Sequence, residues 1–334
     1  MPCPNSDMTE KEALLTGTVL RTGGGVYEVD IRSPEGAEVL LSTLRGKLKH
    51  GRRVAAQPVS VGDRVVVRRL DSFGPDARGR HLHEGHIEEV LPRTSALGRS
   101  RYQKTDQVAV ANLDRVVIVL SLREPDLNTH RLDRFLVLAE ASDLHPVICF
   151  NKCDLLKKRE LKAEVPPLEK LYRGLGYTTV LTSAETDIGV VELRAELNGH
   201  ISAVLGSSGV GKSSLINAVQ PGLHLWVGDV MDIGKGRHTT TEVSLHPLND
   251  GGYIADTPGI KTVSLLEQED VNLPRCFPEF TVYLNECRFN NCTHLHEPGC
   301  AVRAAVESGA VNQGRYDSYS KMLVQANAVK AAKY

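Results

Sequence analysis

Apolar positions fall into three regimes along the chain. From Gly17 to about Pro92, short runs such as Val26–Ile31, Val39–Leu41 and Val61–Leu70 are broken by Gly23-Gly24-Gly25 and by polar turns. Brief β-branched runs between turn formers read as strands. About 75 residues of them predict a small barrel, with an OB-type β-barrel ahead of other barrels. Thr94–Lys104 reads as a polar, basic connector.

Beyond the connector, strands and helices alternate. Arg115–Leu122 is an apolar run of strand length. Arg131–Ala141 places Leu132, Phe135, Leu136 and Ala139 at helical spacing, with Asn128 or Thr129 as the cap. Pro146–Phe150, Thr179–Leu181 and Ile201–Leu205 read as further strands, and Glu160–Leu175 and Ser214–Val219 as helices. Alternation of this kind predicts a mostly parallel sheet covered by helices. From about Leu273 the chain turns rich in Cys and His and then helical to its end.

Charge narrows the function classes. Lys and Arg total 40 against 41 Asp and Glu, a formal net charge of −1. Whole-chain charge therefore does not announce a nucleic-acid binder, and an RNA argument rests on local patches. Residues 45–53 hold such a patch, with Arg45, Lys47, Lys49, Arg52 and Arg53 on what would be a barrel loop. Arg93, Arg99, Arg101 and Lys104 add charge in the connector. No apolar run approaches the ~18 residues of a membrane helix, and the first residues lack the basic and apolar regions of a signal peptide. The expectation is a cytoplasmic chain without a membrane partner. Seven cysteines, unevenly spaced, argue against a disulfide framework and for a reducing compartment.

Four motifs carry chemistry. Gly206-Ser207-Ser208-Gly209-Val210-Gly211-Lys212-Ser213 matches G-x-x-x-x-G-K-[ST], between a predicted strand and a predicted helix that continues through Ser214. Its glycines let backbone N–H groups turn toward phosphate. Lys212 would reach the β- and γ-phosphates, and Ser213 would ligate Mg²⁺. Asn151-Lys152-Cys153-Asp154 matches N-K-x-D. The Asp154 carboxylate can accept from guanine N1–H and N2–H₂, donors that adenine does not offer there. Lys152 would pack its stem on the base. Thr182-Ser183-Ala184 fits a second base loop, with a backbone N–H toward guanine O6.

Asp256-Thr257-Pro258-Gly259 is D-x-x-G after a strand. Two barrel segments, Asp71–Gly74 and Asp76–Gly79, also match that pattern, so position decides. Asp256 would act near Mg²⁺ and the Gly259 N–H near the γ-phosphate. One threonine of Thr239, Thr240 and Thr241 should close on Mg²⁺, Thr240 being preferred. Residue 260 is Ile where a water-orienting glutamine would stand in Ras, and His238 takes that catalytic role. The base motifs precede the phosphate motif, so the set is circularly permuted. Finally, Cys287-x4-Cys292-x-His294-x5-Cys300 offers three thiolates and an imidazole, the donor set of a closed structural zinc site, with His296 as a rival for His294.

Taken together, these permuted motifs, the strands before them and the Cys₃His cluster after them resemble the ribosome small subunit-dependent GTPase A family (RsgA/YjeQ). Resemblance spans residues 14–325, most tellingly GSSGVGKSSLIN, GRHTTT, DTPGI, FPEF and ECRFNNCTHLHEPGC. It implies an α/β multidomain chain: an OB-fold RNA-binding domain over 14–93, a circularly permuted P-loop GTPase domain over 104–270, and a zinc-binding helical module over 271–334. It also implies GTP/GDP with Mg²⁺ and one structural Zn²⁺. The expected function is GTP hydrolysis to GDP and phosphate in late maturation of the small ribosomal subunit, stimulated by that subunit. The subunit and its rRNA are the expected partners of a monomer. Resemblance assigns nucleotide contacts to Asn151–Asp154 and Gly206–Ser214, zinc to Cys287, Cys292, His294 and Cys300, and the hydrolytic role to His238. Two alternatives stand beside this reading: a GTP-dependent RNA-binding switch whose turnover is incidental, and a metal handler, which the closed donor set argues against.

Overall fold

The computed structural model describes residues 14–33, 36–45, 59–76, 78–99, 107–223, 243–256 and 271–331. Two compact units divide the chain, one on the residues up to Asn112 with Val243–Leu245, the other on the remainder.

In the first unit, turn-bounded apolar runs become β1 (Leu14–Gly23), β2 (Val26–Ser33), β3 (Gly36–Leu44), β4 (Arg64–Pro75) and β5 (His81–Val90). They form a closed barrel in the order β1-β2-β3-β5-β4. β1 pairs with both β2 and β4, its register with β2 shifting between Val19 and Arg21. β3 and β5 run parallel while the other pairs are antiparallel. Alternation along each strand sends Val19, Val29, Leu40, Val65, Val67 and Ile87 inward, all fully buried. The connector is more ordered than its polarity predicts. Within it β6 (Ala96–Arg99) pairs antiparallel with β7 (Gln107–Ala111).

The second unit is the expected parallel sheet. Its elements are β8 (Arg115–Ser121), α1 (Thr129–Ala141), β9 (His145–Asn151), α2 (Lys158–Gly174), β10 (Thr178–Leu181), α3 (Val190–Leu197), β11 (Ile201–Leu205) and α4 (Lys212–Val219). β12 (Ser244–Pro247) and β13 (Tyr253–Asp256) follow. Strand order is β10-β9-β8-β11-β13-β12, and the pairs from β10 through β13 are parallel. β8 and β9 are buried along six successive residues each, because helices cover both faces. The Asn128 side chain caps α1 by accepting from the Arg131 N–H. α4 starts at Lys212, two residues before the apolar pattern, because left-handed Gly211 turns the chain directly into the helix.

The Cys- and His-rich segment belongs to this same unit. Short 3₁₀ turns at Leu273–Cys276 and Pro278–Phe280 lead to α5 (Ala301–Glu307) and α6 (Gln313–Ala331). Phe277, Phe280, Val302, Tyr319 and Met322 make a small core that also takes in Val137 of α1. Tyr319 meets Phe277 and Phe280 edge-on at 5.4 and 5.1 Å. At its centre Arg315 is 1 % exposed. It donates to Asp133 of α1 at 2.7 Å and to both Glu279 oxygens at 2.7 and 3.1 Å. Its guanidinium also lies 4.6 Å from the Phe277 ring centroid. Among the described residues, no helix is long and apolar enough to cross a membrane.

Candidate functional site

Parallel strands carry their loops to one end of the sheet, and the sequence motifs sit on those loops. β11 ends at Leu205 and the chain wraps through Gly206–Gly211 into α4. Two glycines are required by close approach. A Cβ on Gly206 would lie 2.4 Å from the Val119 carbonyl oxygen. On Gly211, at φ +90°, it would lie 2.5 Å from Asn151 Nδ2. Lys212 is 6 % exposed, and its Nζ donates to the Gly206 and Ser207 carbonyls at 2.9 and 2.6 Å. A buried ammonium inside an arc of backbone, at the positive end of a helix, makes a hollow suited to phosphate. Ser208, Ser213 and Ser214 are exposed along its rim, and Val210 is buried behind it.

Asn151, at the end of β9, joins three loops. Its Nδ2 donates to the Val210 carbonyl at 2.9 Å and its Oδ1 accepts from Thr182 Oγ1 at 3.1 Å. The Cys153 N–H reaches the Thr182 carbonyl at 3.2 Å. Both ends of a side chain 1 % exposed are thus satisfied by protein. Asn151 therefore acts as a strut between base loop and phosphate loop, in addition to the nucleotide contact that its motif predicts. Lys152 adopts φ +61°, a left-handed conformation uncommon outside glycine, and its Nζ donates to the Glu124 carbonyl. Asp154 follows, exposed on a single 3₁₀ turn. Ser183 is buried, with its Oγ accepting from the Thr186 N–H at 3.2 Å, and Ala184 packs on the sheet's core.

Asp256 ends β13, directly beside the strand that leads into the phosphate loop. Its carboxylate lies 4.0 Å from His246 Nε2. Gly259, His238, Thr239, Thr240 and Thr241 lie outside the described residues. Motif matching missed Arg131, whose Nη1 donates to Ser207 Oγ at 2.7 Å. Nothing in a charged residue on a helical repeat signals such a contact.

The second cluster is metal-like. Ligand atoms of Cys287, Cys292, His294 and Cys300 all lie within 4.8 Å of one another. His294 Nδ1 is 3.5 Å from the sulfurs of Cys287 and Cys300, which are 4.0 Å apart. A tetrahedron built on Zn–S and Zn–N bonds has S–N edges of ~3.6 Å and S–S edges of ~3.8 Å. The donor set and its spacing therefore fit Zn²⁺. His296 is exposed and outside the cluster, which decides between the two histidines. Burial lowers the His294 pKa and keeps the imidazole neutral, as a ligand must be. Burial also pushes the Cys292 thiol up to about 12, so a bound dication would have to displace its proton. Glu297 organises the loop by accepting from Thr293 N–H at 2.8 Å, Thr293 Oγ at 2.5 Å, and the Leu295 and His296 N–H groups at 3.2 Å. This support lay outside the ligand spacing that revealed the site.

Comparison with known proteins agrees with this geometry. The family model described as RsgA GTPase matches residues 90–266. A small ribosomal subunit biogenesis GTPase RsgA from Gemmatimonas aurantiaca is 44% identical over 312 residues, covering 92% of this chain and 96% of the relative. Its counterpart from Moorella thermoacetica is 41% identical, covering 94% and 98%. Among solved structures, YjeQ from Thermotoga maritima superposes with a TM-score of 0.71 at 36% identity, covering 94% of this chain and 99% of that one. YloQ, a circularly permuted GTPase, gives 0.72 at 30% identity, covering 96% and 97%. With base loops that precede the phosphate loop in sequence yet meet it at Asn151, this chain is a P-loop GTPase and belongs to the RsgA GTPase family.

Proposed function

We propose that this protein hydrolyses GTP to GDP and phosphate during late maturation of the small ribosomal subunit, and that the subunit stimulates the reaction. One observation supports it above the others: Asn151 brings the N-K-x-D loop and the phosphate loop into one site, in a chain whose relatives are named small ribosomal subunit biogenesis GTPases.

In this reading Asp154 accepts from guanine and Lys152 packs its stem on the base, while Ser183 and Ala184 carry the second base loop. Gly206–Ser214 cradle the phosphates, with Lys212 supplying charge at the β- and γ-phosphates and Ser213 a hydroxyl for Mg²⁺. Mg²⁺ neutralises charge on the phosphate oxygens when bound. Asp256 and Gly259 respond to the γ-phosphate, Thr240 closes on the metal and His238 orients the attacking water. Zinc, when bound by Cys287, Cys292, His294 and Cys300, is structural, since four protein donors leave no position for water. The protein works in the cytoplasm as a monomer, in three functional modules: the barrel (14–93) and its basic 45–53 segment for rRNA, the GTPase domain (104–270), and the zinc-binding module (271–334).

The test is GTP turnover by the full chain, alone and with purified small or large subunits. Stimulation by small subunits alone, lost in His238→Ala, is the expected result. Equal rates with either subunit would overturn the partner, and a wild-type rate in His238→Ala would overturn that residue's role.

A further inference from the structure

We propose that Arg131 is a positioning residue for GTP hydrolysis, acting on the phosphate loop through the Ser207 hydroxyl. The proposal rests on the GTPase reading of this site and adds a residue that none of the nucleotide motifs contains.

Arg131 is the third residue of α1, and its backbone is fixed before its side chain is considered. The Arg131 N–H donates to Asn128 Oδ1 at 2.9 Å, the capping bond of the helix. Two residues on, Asp133 ties the same turn to Arg315 at 2.7 Å. From this anchored turn the guanidinium reaches Ser207 Oγ at 2.7 Å. Ser207 is 7 % exposed, and its carbonyl accepts from Lys212 Nζ at 2.6 Å. One residue of the phosphate loop is therefore gripped at two atoms by two cations. A guanidinium bond to a hydroxyl is charge-assisted and directional, so it fixes rotation of the Ser207 side chain and restrains the peptide beside it. That peptide carries the carbonyl to which Lys212 is bonded.

The consequence falls on the lysine. Lys212 must exchange carbonyl partners for phosphate oxygens, and the position of the Ser207 carbonyl sets where that exchange begins. The loop N–H groups that follow, from Gly209 to Ser213, would cradle the β-phosphate, and the Arg131 bond is made to the Ser207 hydroxyl ahead of them. Loss of Arg131 should therefore spare binding of the diphosphate and slow the step that needs Lys212 in register with the γ-phosphate. A displacement of about 1 Å in such a group is enough for a ~100-fold loss of rate.

Single-turnover GTP hydrolysis and GDP affinity, measured on the full zinc-loaded chain, test this. Arg131→Ala and Ser207→Ala should each lower the hydrolysis rate about tenfold or more. GDP affinity of Arg131→Ala should stay within about threefold, and the double variant should be no slower than the worse single one, because both remove the same bond. Arg131→Lys, which keeps a cationic donor, should recover part of the rate and guards against a folding artefact. An unchanged rate in Arg131→Ala, or additive losses in the double variant, overturns the proposal. So does a fall in GDP affinity and melting temperature that matches the loss of rate, which would mark a structural clip. A wild-type chain that turns over no GTP would instead overturn the GTPase reading beneath it.

Discussion

Arg315→Met should destabilise the second unit severely while leaving its apolar contacts nearly intact. Wild-type Arg315 and Asp133 are each 1 % exposed in their side chains, and Glu279 is 8 % exposed. Burial alone would lower the guanidinium's pKa, but the Glu279 hydrogen bonds and the Asp133 and Glu279 charges outweigh it, so the group is raised and stays charged. Methionine fills much of the same space against Phe277 and Tyr172 and removes the cation. Two carboxylates are then left together, with the Tyr172 hydroxyl still donating to Asp133 at 3.2 Å. Removing one partner of a buried pair costs about 3–5 kcal/mol. At ~2–4 °C per kcal/mol for a unit of this size, the melting temperature should fall by roughly 6–20 °C. Urea unfolding followed by far-ultraviolet circular dichroism gives the free energy directly. Adding Asp133→Asn and Glu279→Gln removes both stranded charges and should recover more than half of the loss. A loss below ~1 kcal/mol in Arg315→Met, or a triple variant no better than the single one, would refute the argument.

Further outcomes follow from the two site clusters. Asp154→Asn should weaken GTP binding by about 100-fold or more, since an amide cannot accept from both guanine donors; isothermal titration measures it, and xanthine nucleotide should bind the variant better than GTP. Gly211→Ala should abolish nucleotide binding in a chain that still folds, because its Cβ meets Asn151 Nδ2 at 2.5 Å and its φ is +90°; retained affinity would mean that the strut is dispensable. Metal analysis should find one zinc per chain, lost in Cys292→Ser. Zinc affinity should fall as pH is lowered, since protons compete for three thiolates and an imidazole; a titration with a chromophoric chelator at several pH values checks the direction.

Much of this was legible in the sequence, for identifiable reasons. β8 and β9 were readable because strands buried on both faces must be apolar throughout. The phosphate loop was readable because close backbone approach at Gly206 and Gly211 leaves no room for a side chain. Where reading failed, the determinant was tertiary. β6, only Ala96-Leu97-Gly98-Arg99, is too short to show alternation inside a polar, basic connector, and its strand is paired with β7. By contrast, α2 forms where its pattern predicts, over Lys158–Gly174, although Pro166 and Pro167 lie inside it, and it buries Val165 and Tyr172. Arg131 and Arg315 look like ordinary charged positions of amphipathic helices, and only packing shows one on the phosphate loop and the other at the centre of a core. Spacing could not separate His294 from His296, because both fall within reach of the same cysteines; burial beside the thiols decides it.

Strand order also governs how the chain is born. β8 is flanked by β9 on one side and by β11 on the other. Synthesis delivers β9 and β10 soon after β8, so that half of the sheet can form at once. The other edge of β8, Arg115-Val116-Val117-Ile118-Val119-Leu120-Ser121, must wait for Ile201–Leu205. That gap of about 80 residues takes roughly 4–16 s at ordinary elongation rates. For those seconds a strand with four successive β-branched residues, Val116–Val119, presents open hydrogen-bonding groups, the kind of edge on which chains aggregate. The base-reading loops emerge before the edge is covered and the phosphate loop directly after β11. Synthesis through the phosphate loop, followed by α4, is thus the event that both closes the vulnerable edge and joins the base-reading loops to the phosphate loop, so conditions that slow elongation between residues 121 and 201 should raise aggregation of the nascent chain more than slowing elsewhere.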